Sequence, residues 1–461
     1  MSGHVAIVGA GPAGLAAAIE AARTGARVTL IDEAPREGGQ IYRQPAPELD
    51  LPPVGLPGEL ARKAALLAEF GTVREKLELR FQTTAHSLYP GPELQIADAT
   101  ASARLTPDAV ILATGVSERA IPFPGWTLPG VLYAGGAQAL LKAQGVRAGD
   151  RVVISGAGAL PLAVGAQMAE AGAEIAALAL LHSPVRLLMD PLALWAGRGI
   201  VAEGLQYLAK LLRAGVRPQT GWAAIHAHGV DRLEAVTLAR IGGDGQPVAG
   251  SERHVEADLL LLNYGFTANS ELARMAGAEH RYDPAMGGWL PVAARDGATS
   301  VAGVYVAGDG AGLRGALVAE AEGRIVGAAA AAHALGGQSV AQGAAEARRA
   351  RQERFQRALR RTLDLPGGVW NWATEDTTIC RCEGITAGRL ARAFADGHLT
   401  LDGIKRSTRC GMGWCGGRTC LQATAALARA AGGDWPPAEM RARPVARPVP
   451  LGALANPADP A

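Results

Sequence analysis

The hydrophobic pattern begins with a short, β-branched apolar run at residues 5–9, which leads into a glycine-rich turn and an alanine-rich stretch ending near Arg23. A second apolar run follows at residues 28–31. Apolar runs of four or five residues indicate buried strands, and the alanine-rich stretch between them indicates a helix. This strand–helix–strand order predicts a parallel sheet in an α/β fold.

The same pattern starts again in the middle of the chain. An apolar run at residues 151–155 is followed by a Gly-Ala-Gly turn, a helical pattern at 163–171 and a further apolar run at 174–180. We therefore predict an α/β fold with two Rossmann-like nucleotide-binding units, the second inserted in the first, followed by a small, mainly helical module. Further buried strands are predicted at residues 109–113, 259–262 and 304–306.

The last quarter of the chain changes character. Residues 342–363 are helical and basic, with arginines at positions 351, 354, 357 and 360. This pattern is typical of a solvated connector, and a docking surface for a partner is the alternative. The proline-rich tail is expected to be extended. The predicted division is a flavin-binding domain at 1–120 and 290–340, an inserted NAD(P)-binding-like domain at 121–289, a connector at 341–375, a cysteine module at 376–435 and a tail at 436–461.

Composition excludes several classes of protein. The 461 residues carry 45 Lys and Arg against 43 Asp and Glu, and this balance gives no electrostatic footprint for nucleic acid. All five cysteines follow residue 379, which is not the pattern of a disulfide-stabilised secreted fold. The uncharged stretch at 152–169 is interrupted by glycine and proline, so it fits a strand, turn and helix better than a membrane span. A cytoplasmic protein without an integral membrane segment is expected.

The first glycine-rich turn has the spacing of a dinucleotide-binding loop. Gly9, Gly11 and Gly14 form a Gly-x-Gly-x-x-Gly motif between a predicted strand and helix. The first glycine makes the tight turn, the second admits a pyrophosphate, and the third lets helix and strand pack closely. Asp32 follows at the end of the second strand, where a carboxylate accepts ribose hydroxyls. These residues predict an adenine dinucleotide site.

The second glycine turn departs from this pattern. Gly156 and Gly158 are present, but Pro161 stands where the third glycine is expected. Ala179 takes the place that Asp32 has in the first unit, so no carboxylate is available there for a ribose. The sequence therefore disfavours NAD(P) at this turn, although another adenine nucleotide remains an alternative.

The cysteines form the most specific motif. Cys380 and Cys382 are separated by one residue. A stretch of 32 residues then leads to Cys415, and Cys420 follows after four more. Four thiolates are the usual ligands of a [2Fe–2S] cluster, with one iron on each pair as the simplest arrangement. Zinc is the alternative, although structural zinc sites usually space paired cysteines by two to four residues. Cys410 is extra, and we interpret it as a neighbour of the cluster whose role the sequence does not define.

Further segments resemble the FAD/NAD(P)-dependent pyridine-nucleotide reductase superfamily. The resemblance implies flavin contacts from the loop after the second strand, from the Thr-Gly that closes a later strand, and from the terminal Gly-Asp pair. The segment after Gly130, where disulfide reductases of this superfamily carry a redox cysteine pair, contains no cysteine, so dithiol–disulfide chemistry is excluded. The expected flavin-contacting residues from these segments are Gly39, Gln40, Thr114, Gly115, Gly308 and Asp309.

The cysteine module resembles the bacterioferritin-associated-ferredoxin-like [2Fe–2S] domain, on the segments Thr-Thr-Ile-Cys380-Arg-Cys382-Glu and Thr-Arg-Cys410-Gly-Met-Gly-Trp-Cys415-Gly-Gly-Arg-Thr-Cys420. Joined to a flavin unit, it resembles the α subunits of bacterial dye-linked amino-acid dehydrogenases, which include the opine oxidase A subunit, the D-hydroxyproline dehydrogenase α subunit and the hydrogen cyanide synthase B subunit. The resemblance covers nearly the whole chain.

This resemblance implies FAD and a [2Fe–2S] cluster in one chain, with FMN at a subunit interface in some relatives. It also implies a partner β subunit of the amino-acid-oxidase flavoprotein type, which oxidises the substrate, and in some cases a small ferredoxin-like subunit. The acceptor of such a complex can lie at the inner face of the membrane. The expected function is electron transfer from an opine, D-hydroxyproline or glycine dehydrogenase partner to that acceptor.

Two other functions remain open at this point. The first is a stand-alone NAD(P)H-dependent ferredoxin or dye reductase, which needs a working second nucleotide site. The second is a redox or iron sensor without turnover, which would not need a reducible flavin. The sequence identifies no substrate base, and it leaves the amine substrate, the electron acceptor and the oligomeric state undetermined.

Overall fold

The computed structural model describes residues 3–339, 341–433, 435 and 442–458. Strands and short helices alternate through the first three hundred residues, and helices dominate after that. In chain order the strands are β1 His4–Val8, β2 Arg27–Ile31, β3 Leu77–Arg80, β4 Thr84–Tyr89, β5 Glu93–Ala97, β6 Ser102–Leu105, β7 Ala109–Leu112, β8 Val116–Glu118, β9 Val131–Tyr133, β10 Arg151–Gly156, β11 Glu174–Leu180, β12 Gln219–Thr220, β13 Trp222–His228, β14 Ala235–Arg240, β15 Arg253–Glu256, β16 Leu259–Asn263, β17 Phe266–Ala268, β18 His280–Asp283, β19 Gly288–Pro291, β20 Val304–Val306, β21 Thr378–Cys380 and β22 Ile385–Thr386.

The helices connect and cover these strands. The longest of them, α8 and α9, lie between the sheet-containing part and the cysteine module. Among the described helices, none is long and apolar enough to cross a bilayer. The helices are α1 Pro12–Arg23, α2 Pro57–Gly71, α3 Ala134–Gln144, α4 Leu160–Glu170, α5 Pro191–Ala196, α6 Arg198–Arg213, α7 Glu271–Met275, α8 Ala316–Ala334, α9 Gly343–Thr362, α10 Ala387–Ala395, α11 Leu401–Thr408, α12 Leu421–Ala430 and α13 Leu451–Leu454.

The first parallel sheet has the strand order β20-β7-β1-β2-β3. Its central strand β1 is almost wholly buried because helices cover one face and the β4-β5-β6 sheet covers the other. Helices α1 and α8 pack so closely that a Cβ on Gly323 would collide with the carbonyl of Ala13, and one on Gly327 with that of Ala17. This close packing holds the glycine turn after β1 against the end of β20.

The second parallel sheet has the order β12-β11-β10-β16-β9, with the antiparallel β13-β14-β15 sheet packed on it. The chain passes into this unit through β8 and leaves it through β17, and these two strands pair with each other. The two Rossmann-like units and the small iron–sulfur domain after them agree with the predicted fold class.

The end of the insertion differs from the predicted boundary at residue 289. Leu272, Ala273, Ala276 and Ala278 pack with strands of the first sheet, although the sequence placed them in the second unit. The hydrophobic pattern does not reveal this because a helix of five residues, α7, buries the same kinds of residue in either unit. The segment after β17 therefore belongs to the core of the first unit.

Helix α9 is less solvated than its composition suggests. Phe355 is buried against Leu187 and Ala196 of the second unit, and Arg360 donates a hydrogen bond of 2.6 Å to the carbonyl of Leu313. The basic residues that separate these contacts keep the outer face polar, whereas the buried face joins the two units. The helix is therefore a packed connector.

The cysteine module comprises β21, β22 and helices α10 to α12 around a core that includes Ile379, Leu390 and Ile404. The indole nitrogen of Trp126 donates a hydrogen bond of 2.7 Å to the carbonyl of Thr378, which fixes the module against the second unit. The C-terminal tail then returns to the first unit, where the Ala446 amide donates to the carbonyl of His86 at 2.7 Å. Residues 436–441 and 459–461 of the predicted tail lie outside the described residues.

Candidate functional site

A single cavity of about 1020 Å³ connects the glycine turns of both units with the cysteine module. Its walls come from the strand ends of the two parallel sheets, from α9 and from the loop that carries Cys415. The carboxyl ends of parallel strands are where α/β folds bind their cofactors, because helix N-termini and loops converge there. Of the residues predicted from the sequence, it is lined by Gly9, Gly11, Asp32, Gly39, Gln40, Thr114, Gly115, Gly158, Asp309 and Cys415.

The first glycine turn has the shape that a dinucleotide cradle requires. A Cβ on Gly14 would collide with the carbonyl oxygen of Gly9, so the third glycine serves the packing of α1 on β1. At Gly11, by contrast, the nearest atom to an added Cβ is the Gly39 Cα at 3.8 Å. The free space at Gly11 faces the cavity, and a pyrophosphate fits there against the N-terminus of α1.

The two acidic residues after β2, Asp32 and Glu33, have different surroundings. Asp32 is partly buried, and its oxygens accept hydrogen bonds from the backbone amides of Ala10 at 2.6 Å and Ala34 at 2.7 Å. Its carboxylate therefore holds the turn in place, while burial raises the pKa of that carboxyl. The next residue, Glu33, also lines the cavity and forms an ion pair of 3.3 Å with Arg447 from the tail. Glu33 is a second ribose-binding candidate that the sequence analysis missed, although its position beside Asp32 was a signal.

The far strand ends of the first sheet are fixed by an asparagine and by backbone amides. Thr114 donates its hydroxyl to the carbonyl of Asn269 at 2.6 Å, and the Asn269 amide nitrogen Nδ2 donates to the carbonyl of Thr114 at 3.1 Å. One oxygen of Asp309 accepts from the amides of Arg314 and Gly315, both at 2.8 Å. Burial raises the pKa of Asp309 against these favourable hydrogen bonds. Gly308 lies beside Asp309 but is not part of the cavity wall.

The second glycine turn is partly covered. The Leu363 Cδ1 atom lies 3.4 Å from the place where a Cβ on Gly158 would stand, and Leu359 and Leu363 of the connector line the cavity at this turn. Gly156 packs against the backbone of Asn263. Ala179 is fully buried and carries no polar group. These side chains offer no partner for the ribose of a nicotinamide dinucleotide.

A partly buried carboxyl lies at the junction of the two units. Glu118, the last residue of β8, accepts hydrogen bonds from the Asn263 amide at 2.7 Å and from the backbone amide of Gly135 at 2.9 Å. Gly135 belongs to the first turn of α3, in the segment where a disulfide reductase would carry its cysteines. Burial raises the pKa of Glu118 to about 7. The sequence analysis did not single out this residue.

The five cysteines come together in the module. The sulfur atoms of Cys380, Cys410 and Cys420 all lie within 4.8 Å of one another, and hydrogen bonds from the other two thiols lower the pKa of Cys380. Cys382 pairs instead with Cys415, whose backbone amide donates to it. Cys380 and Cys382 thus each contact cysteines of the segment 410–420. The sequence predicted instead that Cys380 and Cys382 bind one iron and that Cys415 and Cys420 bind the other.

The surrounding backbone fits a cluster. Gly411, Gly416 and Gly417 adopt positive φ angles of 80°, 64° and 85°, which favour glycine and turn the loop tightly around the thiols. A Cβ on Gly413 would collide with the Cβ of Cys382. Cys410 is fully buried, and its sulfur lies 3.3 Å from the Thr424 hydroxyl. Four thiols remain without Cys410, which is the complement that a [2Fe–2S] cluster takes.

Comparisons with known proteins agree with this architecture. The model of the pyridine nucleotide-disulphide oxidoreductase family matches residues 3–334, and that of the BFD-like [2Fe-2S] binding domain matches residues 378–429. The chain belongs to the pyridine nucleotide-disulphide oxidoreductase family. In this family member, FAD is the cofactor of the first unit and a [2Fe–2S] cluster that of the C-terminal module.

Named relatives align with nearly the whole of this chain. The opine oxidase A subunit of Agrobacterium tumefaciens is 34% identical, with 98% of this chain and 91% of the relative covered. Hydrogen cyanide synthase subunit HcnB of Pseudomonas protegens is 33% identical, with 98% of both chains covered. The structure of L-proline dehydrogenase from P. horikoshii superposes with a TM-score of 0.67 at 20% identity, covering 98% of this chain and 79% of that one. The protein is thus a flavin- and iron–sulfur-dependent oxidoreductase, as the sequence predicted.

Proposed function

We propose that the protein is the electron-transferring subunit of a heteromeric amino-acid or secondary-amine dehydrogenase. A partner flavoprotein of the amino-acid-oxidase type oxidises the substrate, and this chain carries the electrons to an external acceptor. The substrate class is that of opines, D-hydroxyproline or glycine. Relatives named as subunits of opine oxidase and hydrogen cyanide synthase support this assignment.

The observation that carries the proposal is the continuous cavity between the flavin cradle, which is the first glycine turn with Gly9 and Gly11, and Cys415. FAD, when bound, accepts electrons in pairs, and a [2Fe–2S] cluster passes them singly. Gly9 and Gly11 would hold the pyrophosphate, with Gly14 packing α1 against the turn, while Asp32 and Glu33 would hold the ribose side and Asp309 the far end. Cys380, Cys382, Cys415 and Cys420 would hold the cluster. A cavity that reaches from the first glycine turn to Cys415 would bring the two cofactors near each other, which suits electron transfer within the chain.

The second nucleotide turn supports an electron source other than NAD(P)H. Ala179 gives a ribose no acceptor, and Leu363 packs over Gly158. Pro161 occupies the first turn of α4, where the usual glycine would allow closer packing. A stand-alone NAD(P)H-dependent reductase would need these features changed, so the partner subunit is the better electron donor.

The test is reconstitution with the partner. The chain would be produced alone and together with an amino-acid-oxidase-type subunit from the same bacterium, and dye reduction would be measured with opines, D-hydroxyproline and glycine. We expect amine-dependent dye reduction only in the complex. Dye reduction by the complex that is unchanged when Cys420 is replaced by serine would contradict the proposed route through the cluster. Flavin analysis of the complex would also show whether FMN is present beside FAD.

A further inference from the structure

Glu118 stands at the point where the two units and the cavity meet. It ends β8, pairs across the sheet with Phe266 of β17, and turns its carboxyl toward the N-terminus of α3. Asn263 and Gly135 each donate to a different oxygen of this carboxyl. Glu118, Asn263 and Gly135 all line the same cavity as the flavin cradle. The carboxyl therefore has a fixed orientation at the wall of the cofactor site.

Of the other carboxyls of the cavity wall, Asp32 holds the first glycine turn through two backbone amides, and three more have cations close by. Glu33 forms an ion pair with Arg447, and Glu271 forms one of 3.0 Å with Arg418. Burial raises the pKa of Asp309, but Arg314, Arg360 and two backbone amides on one of its oxygens oppose this rise. Nearby cations and multiple amide donors favour the ionised carboxylate. These carboxyls are thereby suited to fixed structural or ligand-binding roles.

Glu118 receives only neutral donors. Its two oxygens face the Asn263 side chain and the backbone amides at the start of α3, and the structure describes no ion pair to it. Burial disfavours the charged form, and its pKa rises to about 7. Each oxygen keeps a lone pair that the donors do not use, so the acid form can carry its proton without losing either hydrogen bond.

The neighbouring charged and titratable groups form no ion pair with Glu118 among the described residues. The adjacent Arg119 directs its guanidinium to the carbonyls of Phe266 and Pro284. Tyr133, which precedes α3, is partly buried, and its buried hydroxyl has no hydrogen-bond partner among the described residues. Among the described residues, the ionisable groups that act electrostatically on the Tyr133 hydroxyl are Arg381, Glu118 and Cys415. Tyr133 thus adds a neutral polar group between Glu118 and the cysteine module.

We propose that Glu118 accepts the proton that the flavin loses as electrons pass from the flavin to the iron–sulfur cluster. This inference rests on the proposed function, in which the partner flavoprotein supplies the electron pair. FAD, when bound and reduced, would supply two electrons that leave singly through a cluster held by the cysteine module, and an outside acceptor would take them from the cluster. A proton must leave the flavin as its electrons leave, and the Glu118 carboxylate accepts it before releasing it to solvent.

The first test detects the proton on Glu118 directly. Infrared spectra of the purified, FAD-loaded chain would be recorded between pH 5 and 9. We expect a carboxylic acid carbonyl band that disappears near neutral pH in the wild type, is missing in Glu118→Gln and is retained in Asp364→Asn. Asp364 lines the same cavity, so its variant is a matched control. A band that persists in Glu118→Gln would overturn the proposal.

The second test asks whether this proton belongs to flavin chemistry. The midpoint potential of the bound flavin would be measured against pH in the wild type and both variants. We expect a change of slope near neutral pH in the wild type and in Asp364→Asn, and its loss in Glu118→Gln. An unchanged profile in Glu118→Gln would show that the carboxyl is not coupled to the flavin. If Glu118→Gln does not bind FAD, Glu118→Asp is used, and its slope change is expected at a lower pH.

These results are independent of the proposed partner. Reduction of the flavin by NADH would contradict the proposed function, while the infrared and potential measurements would still decide the role of Glu118. Conversely, the complex could oxidise amines while the pH dependence of its flavin midpoint potential stays the same in Glu118→Gln. That result would support the proposed function and reject this proton route. The two ideas can therefore fail separately.

Discussion

At the level of single residues, the glycine cradle follows from local sequence. The spacing of Gly9, Gly11 and Gly14 is fixed by the geometry of one strand, one turn and one helix, so the sequence predicts it well. The structure adds that these glycines serve different purposes, because Gly14 is required for packing whereas Gly11 opens to the cavity. Substitutions at the two positions should therefore have different effects.

We expect Gly11→Ala to fold normally but to bind FAD at least about tenfold more weakly, because the added methyl group occupies cavity space rather than protein space. Gly14→Ala should lower the melting temperature, since its methyl group collides with the Gly9 carbonyl. Flavin fluorescence titration and thermal unfolding measure the two effects. Equal losses of stability in both variants would contradict this separation.

Glu118 and Asn263 show where residue-level prediction stops. They are 145 positions apart, and neither belongs to a local motif for proton transfer. Their contact depends on how β8 and β16 meet, which only the assembled sheets determine. A partly buried carboxyl of this kind carries no signal in the hydrophobic pattern.

The raised pKa of Glu118 gives a prediction for stability. Its folded-state pKa of about 7 lies above the ordinary value of 4.5, so the folded state binds more protons than the unfolded state between these pH values. The free energy of unfolding should therefore fall by up to about 3 kcal/mol as pH rises from 4.5 through 7. Denaturant unfolding of Glu118→Gln should show less of this decline than the wild type. Parallel pH profiles for the two proteins would exclude the predicted contribution.

Cys410 lies beside the cysteines that are predicted to bind the cluster. Its sulfur lies within 4.8 Å of Cys380 and Cys420, although the sequence interpretation makes it a neighbour rather than a ligand. We expect Cys410→Ser to retain two irons per chain with a changed cluster potential, because the hydroxyl keeps a polar contact with Thr424. Cys420→Ser should lose the cluster. Iron analysis and visible spectroscopy decide this, and iron loss in Cys410→Ser alone would make Cys410 the ligand.

At the level of elements, the sequence predicted the strands and the helix–turn units but not how the later segments dock. The cysteine loop, α7 and the tail meet at Arg418, which is only 9% exposed. Arg418 donates to the carbonyls of Cys415 at 3.0 Å and Ala446 at 2.6 Å, and it forms an ion pair with Glu271. These partners come from three separate parts of the chain, so their convergence is a property of the folded molecule.

We expect Arg418→Ala to lower the free energy of unfolding by about 3 kcal/mol, because it removes the partner of a mostly buried carboxylate. The same variant should lose its cluster faster, since the Cys415 carbonyl is no longer held. Arg392→Ala is the control, because Arg392 is exposed on α10, and it should behave like the wild type. Equal stability of the two variants would contradict a docking role for Arg418.

At the level of the whole molecule, the sequence predicted two nucleotide-binding units and an iron–sulfur module, and the family comparisons confirm this composition. It did not predict that one cavity joins them, because the cavity depends on the placement of α9 and of the cysteine loop. Motifs define each unit separately, whereas the proposed electron path depends on how the units are assembled. The functional conclusion therefore needed the structure as well as the motifs.

The most direct test of the central claim is an anaerobic titration of the purified chain, followed by visible spectroscopy and electron paramagnetic resonance. With FAD and two irons bound per chain, we predict that NADH leaves the flavin spectrum unchanged, whereas stepwise chemical reduction fills the flavin and the cluster and lets electrons equilibrate between them. Rapid bleaching of the flavin by NADH, or a cluster that stays oxidised while the flavin is reduced across all potentials, would contradict the account.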